Sequence, residues 1–222
     1  MKKNKFMKLA SGLLVLCLMT TCVIGATLAK YVTSGNGSDS ARVAKWGVKV
    51  TGTATTFAQT YVKTDESFGV ETNTVVSTED VVAPGTSGSM AAFAITGTPE
   101  VAVRVAFTGT LELGDKWVDS TSAYYCPLEI TVGTTTIKGL EKASANEFET
   151  AVQNAIAAYT KDYAAGTDLN TIGSNAPAIS WAWAFSSTEE NDVKDTYLGD
   201  QAAEDNAATV TLSVTVTVTQ ID

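Results

Sequence analysis

The 222-residue chain contains no histidine. Without an imidazole there is no Ser-His-Asp triad, no Cys-His dyad, no His-ligated zinc and no HExxH peptidase site. An enzyme would need a carboxylate pair, a Ser-Lys pair or an all-oxygen metal site, and no spacing in the sequence marks one. Cysteine is nearly absent: of three, Cys17 and Cys22 lie in the N-terminal apolar stretch, which leaves Cys126 beyond it. An internal disulfide there is excluded. Flanked by Tyr124-Tyr125 and Pro127-Leu128, Cys126 reads as a buried small hydrophobe, with a reactive or intermolecular thiol as the other reading. Positive charge is also short, at 15 Lys and Arg against 24 Asp and Glu, for a net −9.

Much of that positive charge sits at the start. Lys2, Lys3, Lys5 and Lys8 precede an apolar run from Leu9 to Leu28, which closes on Thr27-Leu28-Ala29 with small residues at −3 and −1. This pattern predicts a signal peptide over 1–29, cut between Ala29 and Lys30, and an exported product that is extracellular or bound at the cell surface. An uncleaved membrane anchor is the competing reading, weakened by Thr20, Thr21 and Gly25. A lipoprotein site would need a small residue before Cys17 or Cys22, where Leu16 and Thr21 stand. Membrane contact is therefore expected only through the uncleaved segment. Cleavage leaves residues 30–222, enough for one domain, with 30–41 expected as a flexible N-terminal segment. Losing four lysines takes the balance to 11 basic against 24 acidic residues and the net charge to −13. Such a surface repels phosphate backbones, so no nucleic-acid partner is expected.

The remainder reads as strands. Val210, Leu212, Val214, Val216 and Val218 alternate with Thr and Ser without a break, which predicts a long half-buried antiparallel strand. Alternation recurs at Ala44–Val50, Val101–Phe107, Leu128–Val132 and Ile179–Phe185, and Met90–Ile95 reads as a strand after the Pro84-Gly85 turn. One helix is expected over about 144–162. Ser144 and Glu147 have capping-box spacing, and Phe148, Val152, Ala155, Ile156 and Tyr159 share a face. Ser34–Ser40 and the Glu/Asp/Asn-rich stretch Ser186–Asp205 read as loops. The sum is an all-β, single antiparallel β-sandwich with one inserted amphipathic α-helix packed on a sheet edge or over one end. Long Val/Thr strands with few charges leave edges that invite pairing with another chain.

Several stretches together resemble the TasA/camelysin family of Gram-positive secreted biofilm-matrix proteins, which carry a SipW-type signal peptide. They are Gly25-Ala26-Thr27-Leu28-Ala29-Lys30-Tyr31, Ala41-Arg42-Val43-Ala44-Lys45-Trp46-Gly47-Val48, and the Pro84-Gly85-Thr86-Ser87-Gly88 turn. Gly97–Val103, Trp181–Phe185 with Asp195–Gly199, and the terminal Thr/Val strand complete the set. The resemblance implies a jelly-roll-like sandwich that forms fibres by donor-strand complementation, with an assembly strand that begins Lys30, Tyr31, Val32. The camelysin branch is described as metalloprotease. Without histidine that activity is not carried over, and no catalytic residue is assigned.

The acids Glu189, Glu190, Asp192 and Asp195 are weak calcium-ligand candidates. They lack the Asp/Asn and Gly spacing of an EF-hand, and a solvated loop is the preferred reading. No other cofactor is expected. Trp181 and Trp183 share a strand face and offer either a glycan-stacking platform or core packing, the latter preferred. Trp46 and Trp117 are read the same way. Gly85–Ser89 is a turn rather than a nucleophile elbow. Asn36-Gly37-Ser38 matches a glycosylation sequon of little weight in a bacterial-type chain. Lys30, Arg42, Lys45 and Lys49 gather near the mature N-terminus and could steer head-to-tail docking onto the acidic body. The leading expectation is a secreted structural protein that assembles with itself, with other matrix proteins or cell-wall glycans as further partners. A monomeric glycan- or calcium-binding surface module is the alternative, and a camelysin-like protease ranks last.

Overall fold

The computed structural model describes residues 10–15, 42–52, 56–65, 70–90, 93–171, 176–186 and 188–221. Residues 10–15 are helical, and among the described residues no helix is long and apolar enough to cross a membrane. The body, Ala44–Asp222, is mostly strand, arranged in several antiparallel sheets with few helices. The strands are β1 (Lys49–Thr51), β2 (Ala58–Asp65), β3 (Val70–Val81), β4 (Thr86–Met90), β5 (Ala94–Thr96) and β6 (Val103–Leu113). They continue as β7 (Glu129–Val132), β8 (Thr135–Lys138), β9 (Lys161–Tyr163), β10 (Ile179–Trp183) and β11 (Val210–Gln220). Helices α1 (Ala145–Ala157) and α2 (Glu189–Ala203) interrupt them. Four strands are ordered β4-β10-β7-β8 and three are ordered β11-β6-β9, while β1 pairs with β5 and β2 with β3.

Period two governs the central pieces. In β6, Val103, Val105, Phe107 and Leu111 are buried, whereas Arg104, Thr108, Thr110 and Glu112 are exposed. Ile130 and Val132 of β7 and Ile179, Trp181 and Trp183 of β10 join the same core. Helix α1 adds Phe148, Val152 and Ile156, all fully buried. It lies so close to β6 that a Cβ on Gly109 would meet the Ile156 side chain, which explains glycine at that point.

The main-chain groups of β6 define what α1 does. β9 pairs with only the first residues of β6, Val103 to Val105. Beyond it the Phe107 N–H donates to Thr160 Oγ1 at 3.3 Å, and the Leu113 N–H donates to Glu149 Oε1 at 2.7 Å. The helix and its C-terminal turn therefore cover the edge that β9 leaves open, as buried N–H groups require.

The other edge of this sheet differs. β11 pairs with β6 along its whole length, Val210 with Leu113 through Gln220 with Val103. The Gly114 N–H donates to the Thr209 carbonyl, and the Ile221 N–H donates to the Ala102 carbonyl. Antiparallel pairing alternates, so the odd-numbered residues of β11 bond β6. The N–H and C=O groups of Val210, Leu212, Val214, Val216, Val218 and Gln220 then face outward. No described strand pairs with them.

Several expectations need correction. The helix expected over about 144–162 ends at Ala157, and Lys161–Tyr163 is strand. Ser144 does cap it, accepting from the Glu147 N–H at 3.3 Å, but Glu147 Oε2 accepts from Ala143 rather than from Ser144. The acidic stretch read as a loop contains α2. Thr188 caps it, and Glu189, Glu190 and Asp192 in its first turn suit the positive end of the helix dipole. Met90–Ile95 is split between β4 and β5. The strand expected over Ala44–Val50 shrinks to Lys49–Thr51 because Gly47 adopts φ +55° and breaks the extended run. Trp46 is consequently 40% exposed instead of core. Phe185, expected to point inward from β10, lies past the strand end, 70% exposed, against Gly85.

Candidate functional site

The four calcium candidates do not converge. Spaced along α2, Glu189 and Asp192 are exposed, Glu190 binds Lys194 Nζ at 2.9 Å, and Asp195 turns inward to 7% exposure. Among the described residues no group of three or more acidic or cysteine side chains is placed to hold a metal ion. Asp195 instead accepts from the Tyr125 hydroxyl at 2.7 Å, which also reaches the Asn191 carbonyl at 3.1 Å. Burial raises the Asp195 carboxyl above its ordinary range, with the hydrogen bond from Tyr125 acting against it. The Trp183 indole N–H is buried beside this carboxylate and falls short of hydrogen-bonding geometry. Tyr125 is itself pushed far up by burial and by Asp195.

Lys194 locks the outer side. Its ammonium lies 5.5 Å from the Tyr125 ring centroid and 3.8 Å from Asp119 Oδ2. Asp119 is held low chiefly by the Thr121 hydroxyl and also by the Thr121 and Ala123 N–H groups. Asp195 is thus a buried acid whose neighbouring lysine is committed elsewhere.

The tryptophan pair is core. Trp181 and Trp183 are 2% and 5% exposed, so neither offers a face for glycan stacking. The Trp181 N–H donates to the Thr56 carbonyl at 2.8 Å, and its ring packs against Phe57 and Tyr61. Trp183 packs on Trp117, whose N–H donates to the Thr209 carbonyl at 2.7 Å. Cys126 is fully buried and its thiol is pushed up to about 12 by desolvation, so it is poorly nucleophilic.

These residues border a cleft of about 590 Å³ that no pattern in the sequence pointed to. One wall is the Asp195–Ala202 side of α2, another the end of β3 and the turn after it, from Glu79 to Pro84. Phe57, Trp117 and Trp183 contribute rings, and Ala207–Leu212 brings in the start of β11. The cleft is therefore continuous with the open edge, since Val210 and Leu212 belong to both. The readable signals were Thr188 followed by three first-turn acids, which announces α2, and the absence of charge from β11. Nothing in the sequence placed the two side by side.

The residues expected at the cleavage site, Ala29 and Lys30, and those expected to begin an assembly strand, Lys30, Tyr31 and Val32, lie outside the described residues. Lys45 and Lys49 are exposed on the body, and the Lys45 N–H donates to Glu100 Oε2 at 2.9 Å. Comparison with protein-family models, with characterised proteins and with solved structures finds no match to this chain.

Proposed function

We propose that the chain is a secreted structural protein that assembles with itself into extracellular matrix or surface fibres by strand exchange. The body serves as a jelly-roll-like sandwich, and residues 1–29 act as the export signal. Cleavage after Ala29 frees the segment from Lys30 onward to pair with a neighbour. The observation that carries this reading is the outer edge of β11. Eleven residues without a charge turn six main-chain N–H and six C=O groups outward. Soluble proteins blunt such edges with lysine, proline, bulges or a covering element. The opposite edge of the same sheet is covered by α1, so the contrast lies within one sheet. Strand addition to an open edge supplies main-chain hydrogen bonds in register, and a head-to-tail contact repeats without closing.

The reading needs no metal and no catalytic group. Its test is N-terminal sequencing of the secreted protein followed by electron microscopy of the same sample. The expected result is a chain that starts at Lys30 and forms filaments. A monodisperse monomer at high concentration, correctly processed, would count decisively against it.

A further inference from the structure

We propose that β11 pairs antiparallel with β11 of a second copy, giving a closed two-fold dimer that caps the edge on which fibre growth depends. The pair itself uses only residues of the body, and its capping role rests on the strand-exchange reading. Among the described edge strands β11 alone is both long and uncharged. β1, β4, β5, β8 and β9 have three to five residues. β2 carries Lys63 and Asp65, and β3 carries Glu71, Glu79 and Asp80. A two-fold axis brings identical strands together, so a charge near the centre would face a like charge. β11 has no charge from Val210 to Gln220.

The hydrogen-bond pattern selects the register. The outward N–H and C=O groups belong to even-numbered residues, so even must face even in the hydrogen-bonded pairs. Only with Thr215, the midpoint of the strand, on the axis do all six even residues of each copy find partners. Val210 then faces the partner's Gln220, Leu212 the partner's Val218 and Val214 the partner's Val216. The side chains agree with this register. Leu212, Val214, Val216 and Val218 pack on the core, and the three valines are only partly covered. Paired in this way they form one apolar band across the seam, while Ser213 and Thr217 meet on the other face. Both copies lack a strand at the same edge, and one contact completes both. Because a two-fold contact closes, it does not propagate, and a subunit must leave the pair before its edge accepts a neighbour's strand.

Single cysteines in the full chain read this register. The odd residues form the close pairs, which sets the two copies of Thr215 about 4.5 Å apart at Cα, within disulfide reach. Thr215→Cys treated with oxidised glutathione should therefore give a covalent dimer on a non-reducing gel. The two copies of Thr217 lie roughly 13 Å apart along the seam, so Thr217→Cys alone should give about tenfold less. An equimolar mixture of Ser213→Cys and Thr217→Cys chains should recover the crosslink, since those positions are opposite. All three side chains are exposed, so melting should stay near parental. Cys126 is buried, and the parental chain reports any disulfide made through Cys17 or Cys22. Equal crosslinking at positions 215 and 217 would overturn the pair. Filaments from a parent whose Thr215→Cys variant does not crosslink would also overturn it, and would leave strand exchange standing. A crosslinked Thr215→Cys dimer with no filaments from the parent would overturn strand exchange and leave the pair. Filaments grown from the crosslinked dimer before reduction would overturn its capping role.

Discussion

Asp195 is the residue at which burial and charge are most at odds. A carboxylate 7% exposed, with no cation paired to it among the described residues, is tolerated because the Tyr125 hydroxyl donates to it at 2.7 Å. Removing that donor by Tyr125→Phe should cost about 1–3 kcal/mol at neutral pH, the usual penalty for a buried polar group left without its partner. The sign of the pH dependence follows from the raised Asp195 carboxyl. The unfolded chain releases this proton first, near the ordinary Asp value of about 3.9. Stability from this group is thus full below that pH and falls as pH rises through the higher folded-state value. Asp195→Asn removes the titration and keeps an acceptor for Tyr125. Relative to the parent it should gain stability between about pH 4 and 7 and lose the gain on acidification. Urea denaturation at the two pH values measures the difference, and an equal offset at both would refute the assignment.

Among the elements, α1 and β6 are joined by a contact with almost no tolerance. Gly109 has a Cβ-free surface because Ile156 occupies the space a side chain would need. Gly109→Ala should therefore destabilise by about 1–3 kcal/mol, the typical cost of forcing extra volume into a packed core. The companion change Ile156→Val in the same chain should recover part of that loss, and thermal melts of the single and double variants would show it. These two elements were legible in the sequence because their apolar residues recur, at period two in Val101–Phe107 and at helical spacing in Phe148–Ile156, although the strand runs on past Gly109 to Leu113. Helix α2 was not, and the reason is physical. Its inward face is Leu198 and the acid Asp195 rather than an apolar stripe, so composition reads as solvent-exposed loop. The β2–β3 pair escaped for a related reason. Residues such as Thr60, Val62, Thr72, Asn73, Thr74 and Val76 are exposed on a two-stranded ribbon that packs mainly near its base, through Tyr61 against Trp181. The cleft depends on α2, on β3 and on the order of β11 in its sheet. All three are long-range outcomes that no local pattern carries.

For the molecule as a whole, the decisive property is that one sheet has a covered edge and an open one. The alternation along β11 makes this testable with a single residue type. At odd positions the N–H bonds β6, and at even positions it points away from the sheet. Proline deletes an N–H and is tolerated in strands only where that N–H faces outward at an edge. Thr215→Pro should therefore break the β6 ladder and destabilise the fold by at least the ~1 kcal/mol of a lost hydrogen bond. Val216→Pro, one residue on, should leave the ladder intact while removing a donor from the middle of the open edge. If strands of neighbouring copies add there, Val216→Pro gives a folded protein with a near-parental melting profile and severely impaired filament growth. Thr215→Pro gives a protein that melts early. Filaments of normal yield from Val216→Pro would show that growth does not run along this edge. Early melting of Val216→Pro with Thr215→Pro unaffected would mean that the pairing register of β11 is shifted by one residue. The two substitutions thus separate the stability of the fold from any growth along this edge, on neighbouring atoms of one strand.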